Sequence, residues 1–129
     1  MVDYSKSIDE ERLYIVNSKT AQIEMTSIVS HGINSGKQYA TNFSNINKSK
    51  KSSLGAYLTE NTYYGHFGYS LYLRGLDKTN SLAKKRKIIF HSSKIMQTKW
   101  SFGCFSLPEK NTRKIIDMIK GGCLVYAYQ

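Results

Sequence analysis

The sequence predicts a mainly β domain, either a sandwich or an open barrel, with one short helix in its C-terminal half. Roughly six segments carry the β-branched and aromatic residues typical of strands, and turn residues separate them. Only one segment shows the apolar spacing of a helix. Many strands, one helix and long irregular connections favour this fold class. The 129 residues are enough for one domain, 1–129, that buries a core without disulfides.

The first predicted strands form a hairpin. Residues 12–16 are rich in β-branched and aromatic side chains, and residues 17–20 supply turn chemistry. Residues 21–30 return as the second strand, and alternate positions put four of its side chains on one face: Ile23, Met25, Ser27 and Val29. The hairpin leads to His31, for which a loop position bonded to the backbone is more common than a role in a site.

The middle of the chain alternates between loop and strand. Residues 42–53 are rich in Ser, Asn and Lys and predict a long surface loop. A strand begins at residues 54–59, and a glycine-punctuated turn at 63–68 carries aromatic side chains. In the strand 70–76, leucines occupy one face, and Tyr72 and Arg74 the other. The tyrosines of this region have two interpretations, cross-strand packing and a substrate-binding wall.

The single helix is predicted late in the chain. Ser106 and Glu109 have the spacing of a capping box, which predicts a helix that starts at this point. An apolar stripe follows at three positions: Ile115, Ile116 and Ile119. Gly121 is expected to end the helix, and residues 123–128 form the last strand. Cys123 is interpreted as a small, buried thiol in that strand.

A histidine and a cysteine are the candidates for chemistry. The apolar run 88–90 delivers His91 to the end of a strand, and the turn Ser101-Phe-Gly-Cys104 follows about a dozen residues later. An imidazole beside a thiol can take its proton and leave a thiolate nucleophile. Gly103 would allow a bound carbonyl close to the backbone, where the amides of Gly103 and Cys104 could stabilise an oxyanion. Structural roles for both residues stay open on spacing alone.

Metal binding is not expected, because the chain has no Cys-x-x-Cys and its three histidines lack the spacing of ligands.

The formal net charge of +10 favours polyanionic partners, from nucleic acid to the cell wall. The lysines concentrate at 48–51 and 84–87, where a solvated loop is the simpler interpretation. No recognisable nucleic-acid module accompanies them, so no nucleic-acid partner is expected.

No apolar run is long enough to span a bilayer, and the first ten residues lack the apolar core of a signal peptide. Either the protein stays inside the cell, or an export segment is missing from this chain.

Three segments in order carry a family resemblance: Ser53-Leu-Gly-Ala-Tyr-Leu-Thr59, Tyr63-Tyr-Gly-His-Phe-Gly-Tyr-Ser-Leu-Tyr-Leu-Arg-Gly-Leu76, and Arg86-Lys-Ile-Ile-Phe-His91. The Ser-x-Gly-Cys signature, the capped helix and a Gly121-Gly122 pair follow. Together they resemble the murein L,D-transpeptidase catalytic domain family, the YkuD-like cysteine enzymes of bacterial peptidoglycan. The resemblance runs without a gap from about residue 12 to the C-terminus.

The resemblance implies a role for each matching residue. Cys104 would be the nucleophile and His91 its general base. Ser92 would orient the imidazole, in the family through a main-chain carbonyl. Ser101 and Gly103 would shape the turn that places the Cys104 amide in an oxyanion hole.

The resemblance also implies a reaction. The thiolate would attack a stem tetrapeptide of peptidoglycan, expel D-Ala and form a thioester acyl-enzyme. A side-chain amine of another stem would take the acyl group in transpeptidation, or water would take it in carboxypeptidation. No metal or organic cofactor is required, and carbapenem-type inhibitors are expected to acylate the thiol. The implied location is the periplasm or cell envelope, which favours a missing export segment.

Four positions depart from the family pattern. Phe102 stands where many members have a second histidine, and Ser92, Trp100 and Phe105 replace a Gly, an Arg and a Pro of the closer branch. Because that arginine is missing, Arg74 and Arg86 are candidates to bind a substrate carboxylate, with structural roles as the alternative. Tyr64 and Tyr72 are candidates for the substrate wall.

The aromatic departures leave a second hypothesis open. Trp100, Phe102 and Phe105 would crowd the site, so a catalytically inactive, basic wall-binding module is also consistent with the sequence.

Overall fold

The computed structural model describes residues 1–93 and 99–129. The strands are β1 (Val2–Asp3), β2 (Leu13–Val16), β3 (Ile23–Ser27), β4 (His31–Gly32), β5 (Gly55–Gly65), β6 (Gly68–Gly75), β7 (Ile89–Ser93), β8 (Trp100–Ser101), β9 (Phe105–Pro108) and β10 (Leu124–Tyr128). The helix α1 spans Glu109–Ile119, and a short 3-10 turn spans Lys78–Asn80. The predicted mainly β class with one helix is confirmed.

Eight strands form one nearly closed, barrel-like sheet in the order β3-β2-β1-β10-β5-β6-β7-β9. Strands β4 and β8 pair in a second, two-stranded sheet. The predicted hairpin is present, since β2 and β3 pair antiparallel. Near the middle of the large sheet, β1 pairs parallel to β10, with Val2 opposite Ala127. The strand elements at the two ends of the chain are therefore direct neighbours.

Strand alternation divides the sheet around β6 and β7 into two faces. Leu71 of β6 pairs with Phe90 of β7, and both side chains are fully buried in the core. Tyr72 pairs with Ile89, and this pair lies on the outer face with His91, two residues further along β7. The predicted assignment of Leu71 and Tyr72 to opposite faces agrees with their burial.

The helix covers the inner face of the sheet. The predicted isoleucine stripe is buried there, at Ile115, Ile116 and Ile119. Thr59 of β5 donates its hydroxyl proton to the carbonyl of Ile119 at 2.6 Å, which fixes the end of the helix to the sheet. No described helix reaches the length and hydropathy that a membrane crossing requires.

The predicted capping box at Ser106 is wrong. Ser106 lies inside β9, and the helix begins only at Glu109, directly after Pro108. Parallel pairing with β7 holds the backbone of Ser106 extended, so its hydroxyl does not reach the first turn of the helix. Long-range pairing has overridden a local capping signal.

Arg12 is a fully buried charge that connects the first strands to the segment before β4. Its Nε and Nη2 donate to the carbonyl of Val29 at 3.0 and 2.7 Å. Its Nη2 also contacts Nδ1 of His31 at 3.0 Å, and His31 Nε2 lies 2.7 Å from the carbonyl of Gly36. Because a guanidinium only donates, Nδ1 accepts and Nε2 carries the proton. His31 is bonded to the backbone, as expected, but it lies fully buried in β4 and not in a loop.

We expect Arg12→Lys to lower the free energy of unfolding by about 2 kcal/mol or more, because a single ammonium cannot replace the forked contact with Val29 and His31. Urea denaturation measures the change. Arg74→Lys, at an exposed position of β6, is the control and should leave the midpoint nearly unchanged. Equal stability of Arg12→Lys and the wild type would contradict this role.

Candidate active site

The parallel pairing of β7 and β9 brings the candidate base and nucleophile to one region. His91 is the cross-strand partner of Ser106. Cys104 lies two residues before Ser106, immediately ahead of β9. Strand alternation therefore puts the side chains of His91, Ser106 and Cys104 on the outer face, while Phe105 points inward.

The imidazole of His91 is oriented by the backbone. Its Nδ1 lies 2.9 Å from the carbonyl of Ser92, so Nδ1 carries a proton and donates. In the neutral ring Nε2 is then an acceptor, and the Ser106 hydroxyl, 3.3 Å away, is its donor. Burial lowers the pKa of His91, only partly offset by the bond to Ser92. The resting imidazole is neutral at neutral pH.

The thiol of Cys104 is held away from that base. Its Sγ donates to the carbonyl of Lys87 at 3.2 Å. Burial raises the pKa of Cys104, while the backbone of Ile89 and the positive charge of Arg86 oppose that rise. The resting site therefore contains a neutral thiol and a neutral imidazole, each bonded to a different partner.

Two serines clamp the turn that carries Cys104. The hydroxyl of Ser101 donates to the carbonyl of Cys104 at 2.7 Å and accepts from the amide of Gly103 at 3.1 Å. The hydroxyl of Ser30 donates to the same carbonyl at 3.2 Å and accepts from the amide of Ser106 at 2.9 Å. Within the described residues, the amide N–H of Cys104 donates to no acceptor, whereas the carbonyl of Cys104 accepts from both serines.

Gly103 meets a steric requirement in this turn. Its φ of +118° is a conformation that other L-residues rarely adopt. A Cβ at this position would lie 2.8 Å from the carbonyl oxygen of Lys51 and 2.9 Å from the side chain of Ile88. The turn therefore packs directly against the loop that contains Lys51.

Arg86 holds that loop in place. Its Nη1 donates to the carbonyl of Ser44 at 2.9 Å and to the hydroxyl of Ser53 at 2.6 Å. Its Nη2 donates to the hydroxyl of Ser49 at 3.1 Å and to the carbonyl of Lys51 at 2.6 Å. The predicted loop 42–53 contains no strand, but Ser53 at its end is buried rather than on the surface. These bonds give Arg86 a structural role beside the thiol.

The tyrosines of the β5–β6 hairpin are divided between the two faces. Tyr63 and Tyr72 stack on the outer face with ring centroids 4.0 Å apart. Burial raises the pKa of Tyr63, and the neighbouring Tyr72 adds to that rise. The pair lies on the face of the sheet that also carries His91 and Cys104. Tyr64 lies on the other face, where its hydroxyl accepts from Arg113 of the helix at 2.7 Å. Arg74 is exposed on the outer face, two residues beyond Tyr72.

Phe67, at the tip of the same hairpin, covers the imidazole. Its ring stacks on that of His91 with centroids 4.1 Å apart and an interplanar angle of 17°. The neighbouring His66 is exposed. The hairpin tip thus supplies one wall of the candidate site and contributes to the burial of the His91 imidazole.

The aromatic departures occupy three different environments. Phe105 does not crowd the site: it is 1% exposed and stacks on Phe90 in the core at 4.9 Å. Trp100 donates its Nε1 proton to the carbonyl of Lys37 at 2.9 Å. Phe102 is 67% exposed, with the Nζ of Lys50 over its ring at 4.8 Å. Of the three, Phe102 alone projects from the turn into solvent.

A small cavity of about 110 Å³ lies next to Ser106. Ser30 and Ser93 also line it, and the ion pair of Asp9 with Lys99 borders it. Among the described residues, no three His, Cys, Asp or Glu side chains converge on a possible metal position.

Sequence reasoning missed four residues of this region: Ser30, Tyr63, Phe67 and Ser106. Tyr63 could be found only once the hairpin register is known, because strand alternation from Tyr72 then favours Tyr63 over Tyr64. Ser106 was misassigned because its spacing to Glu109 imitates a cap. Ser30 had no signal, since its contacts span more than seventy residues.

Comparison with known families identifies the one to which the chain belongs. The family model of the YkuD-type L,D-transpeptidase catalytic domain matches residues 1–128. Among curated proteins, no sequence matches the chain.

We expect the alkylation rate of Cys104 to rise steeply with pH above neutrality, because its pKa is raised and the resting thiol is protonated. A preformed thiolate–imidazolium pair would instead give a reactive plateau between about pH 5 and 7. Intact-mass analysis after iodoacetamide treatment measures the rate in a Cys123→Ala background, which isolates Cys104. A plateau in that acidic range would contradict the resting state described above.

Gly103→Ala and Ser92→Ala should differ in their effect on folding. Gly103→Ala is expected to cost about 1–3 kcal/mol of unfolding free energy, because it adds a clash with Lys51 and a strained φ.

Ser92→Ala keeps the carbonyl that orients His91 and removes a buried hydroxyl without a partner in the described structure. Its stability should be unchanged or higher. Urea denaturation of both variants tests this, and a destabilised Ser92→Ala would show that the hydroxyl is needed.

Proposed function

Because the chain belongs to the L,D-transpeptidase catalytic domain family, we propose that it is a peptidoglycan-modifying enzyme whose Cys104 thiolate forms an acyl-enzyme with a stem peptide. The family is cysteine-dependent and acts on peptidoglycan. The observation that carries the proposal is the orientation of His91. With Nδ1 donating to the Ser92 carbonyl, Nε2 is the basic atom, and it faces the side of the sheet on which Cys104 lies.

The first step is the activation of the thiol. Rotation of the Cys104 side chain takes Sγ away from the Lys87 carbonyl and towards Nε2 of His91, where it displaces the hydroxyl of Ser106. The S–H bond breaks and an N–H bond forms on Nε2. The bond from Nδ1 to the Ser92 carbonyl strengthens as the ring becomes charged.

The second step forms the thioester. The thiolate attacks the carbonyl carbon of the scissile amide, and the amide proton of Cys104 stabilises the oxyanion. Collapse of the tetrahedral intermediate breaks the C–N bond, and the proton on His91 Nε2 passes to the departing D-Ala amine. The acyl group remains on Sγ.

The third step transfers the acyl group. An amine of a second stem attacks the thioester, His91 removes its proton, and the Cys104 thiol is restored. With water as acceptor the same residues perform L,D-carboxypeptidation, which is the alternative outcome. The raised thiol pKa implies that substrate binding supplies part of the free energy for activation.

The outer face also supplies groups for substrate binding. The stacked pair of Tyr63 and Tyr72 provides an aromatic wall on the face of the sheet that carries His91 and Cys104. Arg74 is exposed on the same face and can pair with a substrate carboxylate. Arg86 is a poorer candidate, because its donors are committed to the loop 44–53. Tyr64 contacts the helix instead, so Tyr63 takes its place in the proposed wall.

Members of this family are typically associated with the cell envelope, and we propose the same location for this protein.

A second function, that of an inactive wall-binding module, is favoured by one observation. The resting thiol and imidazole are bonded to other partners, and Phe67 covers the imidazole.

Incubation with a carbapenem should produce a single covalent adduct on the wild type and none on Cys104→Ala, because the Cys104 thiol is the group that is acylated. Intact-mass spectrometry measures the adduct. Cys123→Ala, which removes the other free thiol, is the matched control and should acylate normally. His91→Gln should slow acylation by about 10²- to 10⁴-fold.

Muropeptide analysis then separates the functions. A cross-linked dimer indicates transpeptidation, and a shortened stem without dimers indicates carboxypeptidation. Retention on purified sacculi without an adduct or a changed muropeptide profile would contradict the proposed enzyme and favour the inactive module.

A further inference from the structure

Two basic segments that are distant in sequence lie side by side. The bonds of Arg86 to Ser49 and Lys51 tie the loop before β5 to the segment before β7. Together they form what we term the basic patch: Lys48, Lys50, Lys51, Lys84, Lys85 and Lys87. All of these lysines are exposed except Lys51, which is partly buried. Arg86 thus holds the two lysine segments together, and the exposed charges of the patch belong to lysine ammonium groups.

The charge of the basic patch is largely uncompensated. Within the described residues, the one acidic side chain paired with the patch is Glu60, which contacts Lys84 at 2.6 Å. Like charges brought together on one surface repel each other, so the arrangement costs folding free energy in the absence of a counter-charge. An anionic partner would remove that cost.

The backbone of the basic patch gives a second, independent observation. Four non-glycine residues of the described chain have a positive φ, and three of them are patch lysines: Lys48, Lys50 and Lys87. Glycine or asparagine adopts this left-handed conformation with less strain than lysine does. Strained backbone of this kind clusters at functional sites. The positions carry a long ammonium side chain where local conformation alone would favour glycine.

The basic patch also adjoins the proposed nucleophile. The carbonyl of Lys87 accepts the proton of the Cys104 thiol, and the carbonyl of Lys51 packs against Gly103. Lys50 lies over the ring of Phe102 on the same turn. A polymer bound to the patch would therefore run past the mouth of the site.

The chemistry of the patch favours phosphate. Its exposed cations are lysine ammonium groups, which bind phosphate oxygens as point charges. The one guanidinium of the patch, on Arg86, is committed to protein acceptors. Binding of single-stranded nucleic acid uses a series of exposed aromatic rings, and among the described patch residues and their contacts only Phe102 is such a ring, already covered by Lys50.

We propose that the basic patch is a binding surface for a linear polymer of phosphodiester-linked polyols, which holds the protein on an anionic matrix beside its substrate. The surface does not depend on acyl transfer, so it can be tested in the Cys104→Ala protein, whatever the outcome for the enzymatic proposal.

The sharpest variant is Lys48→Gly/Lys50→Gly. It removes two charges and relieves two left-handed conformations, so binding should weaken while the melting temperature stays equal or rises. The matched control is Lys110→Ala/Lys114→Ala, which removes two exposed charges from the helix. The probe is fluorescently labelled poly(glycerol phosphate), titrated between about 50 and 200 mM salt.

The wild type and the helix control should bind equally, with affinity that falls as salt rises. The glycine variant should bind about ten- to thirtyfold more weakly. Its slope of log affinity against log salt should be shallower by about 1 to 1.5. If its melting temperature drops, Lys85→Ala, an exposed patch lysine, provides the same test without a change of backbone conformation.

Three results would overturn the proposal: no binding by the wild type, equal weakening in the glycine and helix variants, or tighter binding of a competitor. The competitors are polyglutamate and single-stranded DNA of the same total charge. Equal weakening would indicate only the net charge of +10. A preference for polyglutamate or DNA would assign the patch to a carboxylate polymer or to nucleic acid.

Discussion

The parallel pairing of β7 with β9 is the constraint on which the proposed site depends. Parallel neighbours cannot be joined by a tight turn, so the chain must leave the sheet between them and return. It returns through β8 and the Ser101–Cys104 turn, which Ser30 and Ser101 clamp from two sides. The stack of Phe90 on Phe105 fixes the register from the interior. A slip of one residue would turn His91 into the core, because adjacent strand positions face opposite ways.

The same pairing explains why the resting groups are neutral. A histidine on a sheet face, under Phe67 and next to Ser106, loses solvent, and this burial disfavours its charged form. The thiol loses solvent as well, and its nearest acceptor is the carbonyl of Lys87. Neither group then favours ionisation until a substrate changes the surroundings. In the proposed mechanism, such an arrangement would protect the Cys104 thiol from unwanted reaction with small electrophiles, at the expense of a slower first step.

The sequence was sufficient for the features that depend on local periodicity. Leucine alternation at Leu71 and Leu73 and the isoleucine stripe of the helix predicted which faces are buried. Features set by long-range pairing were not predictable. The bulge between Thr59 and Thr62 sets which tyrosine lies opposite Ser70, and no local signal reveals that register. Ser106 shows the same limit, since its capping pattern is satisfactory in isolation and only its pairing with His91 excludes it.

The pairing of β1 with β10 has a consequence for biosynthesis. Residues 2 and 3 find their partners at residues 127 and 128, so β1 leaves the ribosome well before its neighbour β10 has been synthesised. Until then β5 and β1 lack the strand that lies between them, and the emerging chain has two unpaired edges. Contacts at this sequence separation close slowly and expose the nascent chain to aggregation. The sheet is therefore completed only after β10 has emerged, and until then the edges of β1 and β5 stay exposed.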